Sequence, residues 1–240
     1  MIATHVKPAR GNRILGFLGA REREMLEPHL EAVTLKFRQR LETANRRTAT
    51  VFFIEDGLAS VVAVGRGERR QAEVAVVGRE GMSGIPVILG IERSPHDTFM
   101  QVEGRGRCIG ASVLCELLDK SPSLRASLAR YAHAFMVQAG HTALANAQGK
   151  IEERLARWLL MAHDRLEGDD LHLTHEFLSI MLGVRRAGVT TALHQLERTA
   201  LISTVRGCIT VLDRDGLVAC TNGLYGVPEA EFERVFADHP

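Results

Sequence analysis

Hydrophobic positions change their period along this chain. Between Ile14 and Leu30, the residues Leu15, Leu18, Met25 and Leu30 fall at helical spacing among charged neighbours, which predicts a short amphipathic helical pair. From Val33 to Ala111 the apolar residues come instead in brief runs: Val51 to Ile54, then Glu55-Asp56-Gly57, then Leu58 to Val64, then Gly65-Arg66-Gly67. Short β-rich runs separated by turn residues predict a small antiparallel barrel or roll.

Ser121-Pro122 opens a different regime. Between Ser123 and Leu166 there is no proline, and Ala, Leu, Glu and Arg dominate, which predicts one or two long helices. Leu124, Leu128, Tyr131 and Phe135 are spaced as a helix seam that continues through Gln138, Thr142 and Ala145. By spacing alone, that seam fits a partner helix and the chain's own domain equally well. Gly149 interrupts the pattern, and Ile151, Leu155, Trp158, Leu159 and Ala162 define a fresh apolar face with Glu152, Glu153, Arg154 and Arg157 outside it. The domain boundary is placed near Gly149.

The next segment carries the chemistry. Gly168-Asp169-Asp170 ends the preceding helix, and Thr174 has the hydroxyl to cap a helix starting at His175, with Glu176 in its first turn. Leu178, Leu182, Val184, Val189 and Ala192, with Ser179 small at a crossing point and Gly183 free to take positive φ, form the pattern of two short crossed helices. The second helix presents Arg185, Arg186, Thr190, Thr191 and His194 away from Val189, Leu193 and Leu196. A guanidinium at that N-terminal end can donate two parallel hydrogen bonds to guanine O6 and N7, and threonines suit phosphate or the thymine methyl.

An isolated arginine pair is more often a solvated face. The context reverses that reading: Leu201 to Val205 reads as a strand, Arg206-Gly207 as a tight turn and Cys208 to Leu212 as the returning strand, which is a wing with a basic tip where Arg206 can hold a phosphate. Residues 213–240 add helical spacing at Leu217, Leu224, Phe232, Val235 and Phe236, with no role assigned.

Composition narrows the class. The chain has 240 residues, 45% of them apolar and 25% charged, an ordinary globular balance. Thirty basic against 29 acidic side chains leave a net charge of +1, so attraction to nucleic acid must come from local clusters. Cys108, Cys115, Cys208 and Cys220 include no Cys-x-x-Cys pair and read as reduced thiols in a cytosol. The first twelve residues lack the apolar core of a signal peptide, and no run of about 18 apolar residues follows, so the expected location is cytoplasmic. His96 and His133 read as surface or hydrogen-bonded side chains, so no metal and no cofactor are assigned. Scattered His, Ser and Cys form no nucleophile–base motif, and Gly65-x-Gly67 lacks the rest of a dinucleotide fingerprint, so the chain is not expected to be an enzyme.

The stretches Ile151–Leu160, Leu173–Arg186, Ile209–Asp213 and Val76–Met82 resemble the Crp/Fnr superfamily of transcription regulators, over nearly the whole chain. The resemblance implies an α+β architecture. A cyclic-nucleotide-binding-like antiparallel β-roll would occupy 1–120, a dimerisation helix 121–149, and a winged helix-turn-helix with a C-terminal extension 150–240. It also implies a homodimer on a palindromic operator of double-stranded DNA, with RNA polymerase as a further partner and a small effector of unknown identity. Where the catabolite-activator branch carries an Arg-Glu pair and a later Arg, this chain has Arg186, Ala187 and Thr191, so its preferred half-site should differ.

The roll departs from the family pattern as well. Its counterpart region runs from Gly81 to Pro86 and from Ser94 to Phe99, and Asp97 precedes Thr98 where the phosphate-binding Arg belongs. An acidic group there repels phosphate, so gating by ordinary cyclic-nucleotide binding is not expected. Ser83, Arg93, Ser94 and Thr98 are the candidate effector pocket, and a shifted register that gives Arg93 the phosphate role keeps the ligand-gated alternative open. The first cysteine is Cys108, so the N-terminal cluster of the iron-sulfur branch has no counterpart.

Overall fold

In a computed structural model, residues 11–65, 71–205 and 207–237 are described. Two short helices, α1 (Arg13–Phe17) and α2 (Ala20–Leu26), lead into an antiparallel sheet of β1 (Glu31–Leu35), β2 (Arg40–Glu42), β3 (Thr50–Val64), β4 (Gln71–Val77) and β5 (His96–Gly110). The sheet order is β1-β5-β3-β4, with β2 also on β5. A short helix, α3 (Ile85–Ile88), lies between β4 and β5. The α+β architecture with an N-terminal antiparallel roll is as the sequence implies.

One expectation is corrected. Glu55-Asp56-Gly57 is not a turn between strands, because β3 runs unbroken through it for 15 residues. The pairing with β5 shifts register around Ile54, Asp56 and Leu58, so the segment is a bulge. Gly57 sits at φ +91, and a Cβ on the facing Gly104 would lie 2.1 Å from the Asp56 carbonyl oxygen. Only glycine meets both demands, and what looks like turn chemistry is strand bending.

After α4 (Ala111–Lys120), the 27-residue α5 (Pro122–Gln148) starts on Ser121, whose hydroxyl accepts from the Leu124 amide at 3.2 Å, with Pro122 in the first turn. Leu124, Leu128 and Tyr131 are buried against Val51, Phe53, Met82 and Leu114, with Phe135 packed beside them. The Gln138 side-chain oxygen accepts from the Val76 amide of edge strand β4 at 2.7 Å. The apolar seam of α5 therefore belongs to the chain's own roll.

Helix α6 (Ile151–His163) carries the second core. All eight residues from Leu155 to Ala162 are buried, because the helix lies between the roll (Leu58, Val62, Val76) and the C-terminal elements (Leu178, Val189, Leu193, Ile209). This corrects the placement of Arg157 on an outer face: it is 4% exposed, since a helix covered on both sides has no solvent face at that position. The C-terminal extension divides. Leu217 of α9 (Arg214–Cys220) joins the α6 core, whereas α10 (Val227–Ala237) returns to α5 and α1. There Phe236 stacks on Phe17 at 4.9 Å, and Arg13 lies over Phe232 and pairs with Glu233 at 2.8 Å. No described helix is long and apolar enough to cross a membrane.

Truncating Leu128 to Ala should destabilise the fold by about 2–5 kcal/mol, as for other fully buried leucines. Gln148→Ala, at an exposed position of the same helix, should shift it by no more than about 0.5 kcal/mol. Urea unfolding of the two variants checks the assignment of the helix faces.

Candidate nucleic-acid interface

Three strands and two helices build the presenting unit. β6 (Asp170–His172) pairs with β8 (Cys208–Val211), which pairs with β7 (Ile202–Val205). The sequence signals the β7–β8 hairpin but not the three-residue β6, which is too short to carry a periodicity of its own. Gly207, at φ +83, turns the hairpin. Arg206, at the expected wing tip, lies outside the described residues.

Helix α7 (His175–Met181) begins where the Thr174 hydroxyl accepts from the Phe177 amide at 3.2 Å. The hydroxyl hydrogen stays available, and Thr174 is exposed. Gly183 takes φ +61, and the Val184 amide donates to the Ser179 carbonyl at 3.0 Å, which closes the turn. Helix α8 (Arg186–Arg198) then runs across α7 and buries Val189, Ala192, Leu193 and Leu196. A side chain on α6 fixes the turn from below: Arg154 donates to the Leu182 carbonyl and to Asn146. The sequence reading put Arg154 on an outer face; it is half-buried, and its role depends on a carbonyl that no sequence pattern reveals.

The face turned away from this core holds the candidate residues. Arg185, Arg186, Thr191 and His194 are exposed, and neither arginine has a side-chain partner among the described residues. Thr190 and Thr191 donate to the carbonyls of Arg186 and Ala187 one turn back, at 3.1 and 3.0 Å. Thr190 is half-buried, with its oxygen 3.1 Å from His175 Nδ1, so it also joins the two helices. His194 Nδ1 lies 3.2 Å from Glu197. Glu197 also accepts from the Thr204 amide at 2.9 Å and its hydroxyl at 2.5 Å, tying α8 to β7 of the wing. The Thr204 hydroxyl bond, above all, holds the Glu197 carboxyl below the usual carboxylate range, so the tie is lost only as pH falls through that lowered value.

The candidate effector residues in the roll have other employment. Ser83 is 2% exposed and its hydroxyl accepts from the Phe52 amide at 3.1 Å. Ser94 accepts from the His96 amide at 3.1 Å, and Arg93 lies on the surface at an isolated bridge with Arg47. Thr98, 1% exposed, donates to Glu42 at 2.9 Å, and the same Glu42 oxygen accepts from the Gly84 amide at 3.1 Å. Asp97 pairs with Arg40 at 2.8 Å and accepts from the Ala44 amide. The buried carboxylate beside Thr98 is thus Glu42, which the sequence reading missed because it arrives from β2, more than fifty residues away. No group of His, Cys, Asp and Glu able to hold a metal is found among the described residues, and His133 pairs with Glu231 at 2.7 Å.

Residues 153–220 match the Crp-like helix-turn-helix domain family. Among solved structures, FixK2 of Bradyrhizobium japonicum superposes with a TM-score of 0.67 at 15% identity, covering 80% of this chain and 96% of that one. A CRP-family transcriptional regulator of Thermus thermophilus gives 0.66 at 17% identity, over 80% and 97%. The c-di-GMP-responsive global regulator CLP of Xanthomonas campestris gives 0.63 at 15% identity, over 80% and 99%. A comparison with curated proteins finds no match. The chain therefore shares the fold of these structures, roll and helix-turn-helix together, and residues 153–220 form a Crp-like helix-turn-helix domain.

Replacing Glu197 with Ala should release the start of the wing while leaving the α8 core in place. One hydrogen bond is worth about 1 kcal/mol net, so exchange of the Thr204 amide should speed up roughly 5–10-fold, with the Leu193 amide unchanged. Amide hydrogen exchange followed by NMR checks it.

Proposed function

We propose that the protein is a homodimeric, sequence-specific DNA-binding transcription regulator acting on a palindromic operator in the cytoplasm, without gating by an ordinary cyclic nucleotide. The carrying observation is the pair Arg185 and Arg186, exposed and without a side-chain partner among the described residues, at the start of a helix whose opposite face is buried. In this reading both arginines address guanine edges, Thr174, Thr190, Thr191 and His194 address backbone or base methyls, and Arg206 at the wing addresses a phosphate. Residues 1–120 serve as the sensor unit, 121–149 as the dimerisation helix and 150–240 as the DNA-binding unit. RNA polymerase is a further partner in this reading.

The dimer reading is supported by a second stripe on α5. Ala126, Ala129, His133, Met136, Gly140, Ala143 and Ala147 repeat at alternating three- and four-residue steps, and each is exposed, Met136 to 66%. Five of the seven are Ala or Gly, and small side chains at this period let two helix backbones approach closely, while His133 is held by Glu231 of α10. It is a different stripe from the leucine seam that covers the roll.

The absence of cyclic-nucleotide gating is supported by Glu42. Its carboxylate already takes the Thr98 hydroxyl and the Gly84 amide, so neither donor is free for a phosphate, and its own charge would repel one. The alternative, a regulator gated by a cyclic nucleotide or another small effector through Ser83, Arg93, Ser94 and Thr98, is favoured by the Xanthomonas protein of like fold, described as c-di-GMP-responsive.

Selection from random duplexes with no added ligand should enrich a two-fold symmetric motif with half-sites about one helical turn apart. Enrichment only when a cyclic nucleotide is added would favour the gated alternative. Arg185→Ala with Arg186→Ala should lower affinity for the selected site by about 1–3 kcal/mol per lost guanine contact, and intact specific binding would contradict the assignment. Arg206→Ala should weaken binding to all sequences and reduce the salt slope by about one. Gly140→Arg places its side chain in open space, so the monomer should fold, whereas sedimentation should show loss of the dimer.

A further inference from the structure

The roll and the winged helix meet across an apolar seam interrupted by one polar cluster. Glu73 on β4 is 4% exposed and receives the Trp158 indole N–H from α6 at 2.6 Å. Ser60 of β3 also donates to Glu73. Gln101 of β5 donates to Ser60 and, at 2.9 Å, to the sulfur of Met181 at the end of α7. Ser60, Gln101, Trp158 and Met181 are each no more than 4% exposed. Two residues of the cluster belong to the helix-turn-helix half and three to the roll, so it exists only while the halves are in contact. It is also imperfect, because Gln101 Oε1 is buried with no hydrogen-bond partner.

We propose that Glu73 is a proton-operated latch between the roll and the winged helix, closed around a protonated carboxyl and released when that carboxyl ionises and takes up water. A neutral carboxyl is tolerated in an apolar seam, and an ionised one is costly there unless it is paired. None of its neighbours is a direct ionic partner. Ser60, Gln101 and Met181 are neutral, Trp158 supplies a single N–H, and Phe177 of α7 stands edge-on to the indole at 6.0 Å. The charged groups acting on Glu73 are Arg157 and Arg165 of the α6 region. Arg157 donates to Thr142 at 3.3 Å and Arg165 to Glu80 at 2.7 Å, so neither hydrogen-bonds to Glu73.

Burial pushes the Glu73 carboxyl up to about 7, against the pull of the Ser60 and Trp158 hydrogen bonds and of the two guanidiniums. Once the seam parts, Glu73 lies on the solvated edge strand β4 and returns towards 4.5. Closing therefore takes up a proton between those two values. The closed state is favoured at the acid end, loses roughly tenfold of its advantage per pH unit through the window, about 300-fold in all, and loses no more above 7. This latch does not depend on what the recognition helix binds.

Trp158 is the only tryptophan in the sequence, and its indole is bonded to the proposed latch. Fluorescence of the purified full-length chain, titrated from pH 4 to 8.5, should therefore show a transition with its midpoint between 4.5 and 7. At its alkaline end, amide exchange in β4 and α7 should become faster. Glu73→Gln keeps an acceptor for the indole without the charge, and should abolish both changes. Ser60→Ala removes a hydrogen bond that favours the ionised form, and should move the midpoint upward, so the test survives if the glutamine variant fails to fold. A transition that is missing in the native protein, or that persists at the same midpoint in Glu73→Gln, or that leaves the exchange of the seam unchanged, would overturn the proposal.

Discussion

Burial of α6 on both sides is the constraint from which the arrangement of the molecule follows. Leu155 to Ala162 form an uninterrupted buried stretch, so this helix cannot be an amphipathic surface element with one wet face. It is a shared wall, with Leu58, Val62 and Val76 of the roll on one side and the winged-helix core on the other. Separating the two halves would expose apolar residues of both, which makes the orientation of the helix-turn-helix relative to the roll a property of the core. The same burial explains why Arg157 and Glu73, ordinary surface types in the sequence, are almost completely covered.

Much of the fold was legible because period and punctuation agreed. Ser121 and Pro122 start α5, Thr174 caps α7, Gly183 turns into α8 and Gly207 turns the wing, each a local signal with a local physical cause. The leucine seam was legible as a seam but not as to its partner, because spacing records that a face is buried and not what buries it. The burial of Leu124 and Leu128 against Phe53 and Met82 answers that question for one face, and the exposed Ala126-to-Ala147 stripe appears only once that face is assigned.

What the sequence did not reveal lies in contacts between distant segments. Gly57 looked like a turn because positive φ serves turns and bulges alike, and only the approach of Gly104 tells them apart. Glu42 beside Thr98, Arg154 beneath the Leu182 carbonyl and Glu197 on Thr204 depend on pairings across different elements. Their residue types are common on any surface. In the candidate interface, the exposed arginines were read from position on a helix, whereas the residues that hold that helix in place were not.

The contrast between these two groups of charges carries the functional argument. Arginines with structural work in this chain are engaged: Arg165 with Glu80, Arg214 with Asp164 and Tyr225, Arg154 with a backbone carbonyl. Arg185 and Arg186 stand at the first turn of a helix held on three sides, by α7, by α6 and through Glu197 by the wing, yet have no side-chain partner among the described residues. Folding of the described part of the chain does not need their charge. A net charge of only +1 gives no general attraction to nucleic acid, so the proposed DNA contact rests on the local positive field of these two guanidiniums. Since α8 is fixed to α6 and α6 to the roll, any change in how the roll meets α6 moves those two charges as a unit.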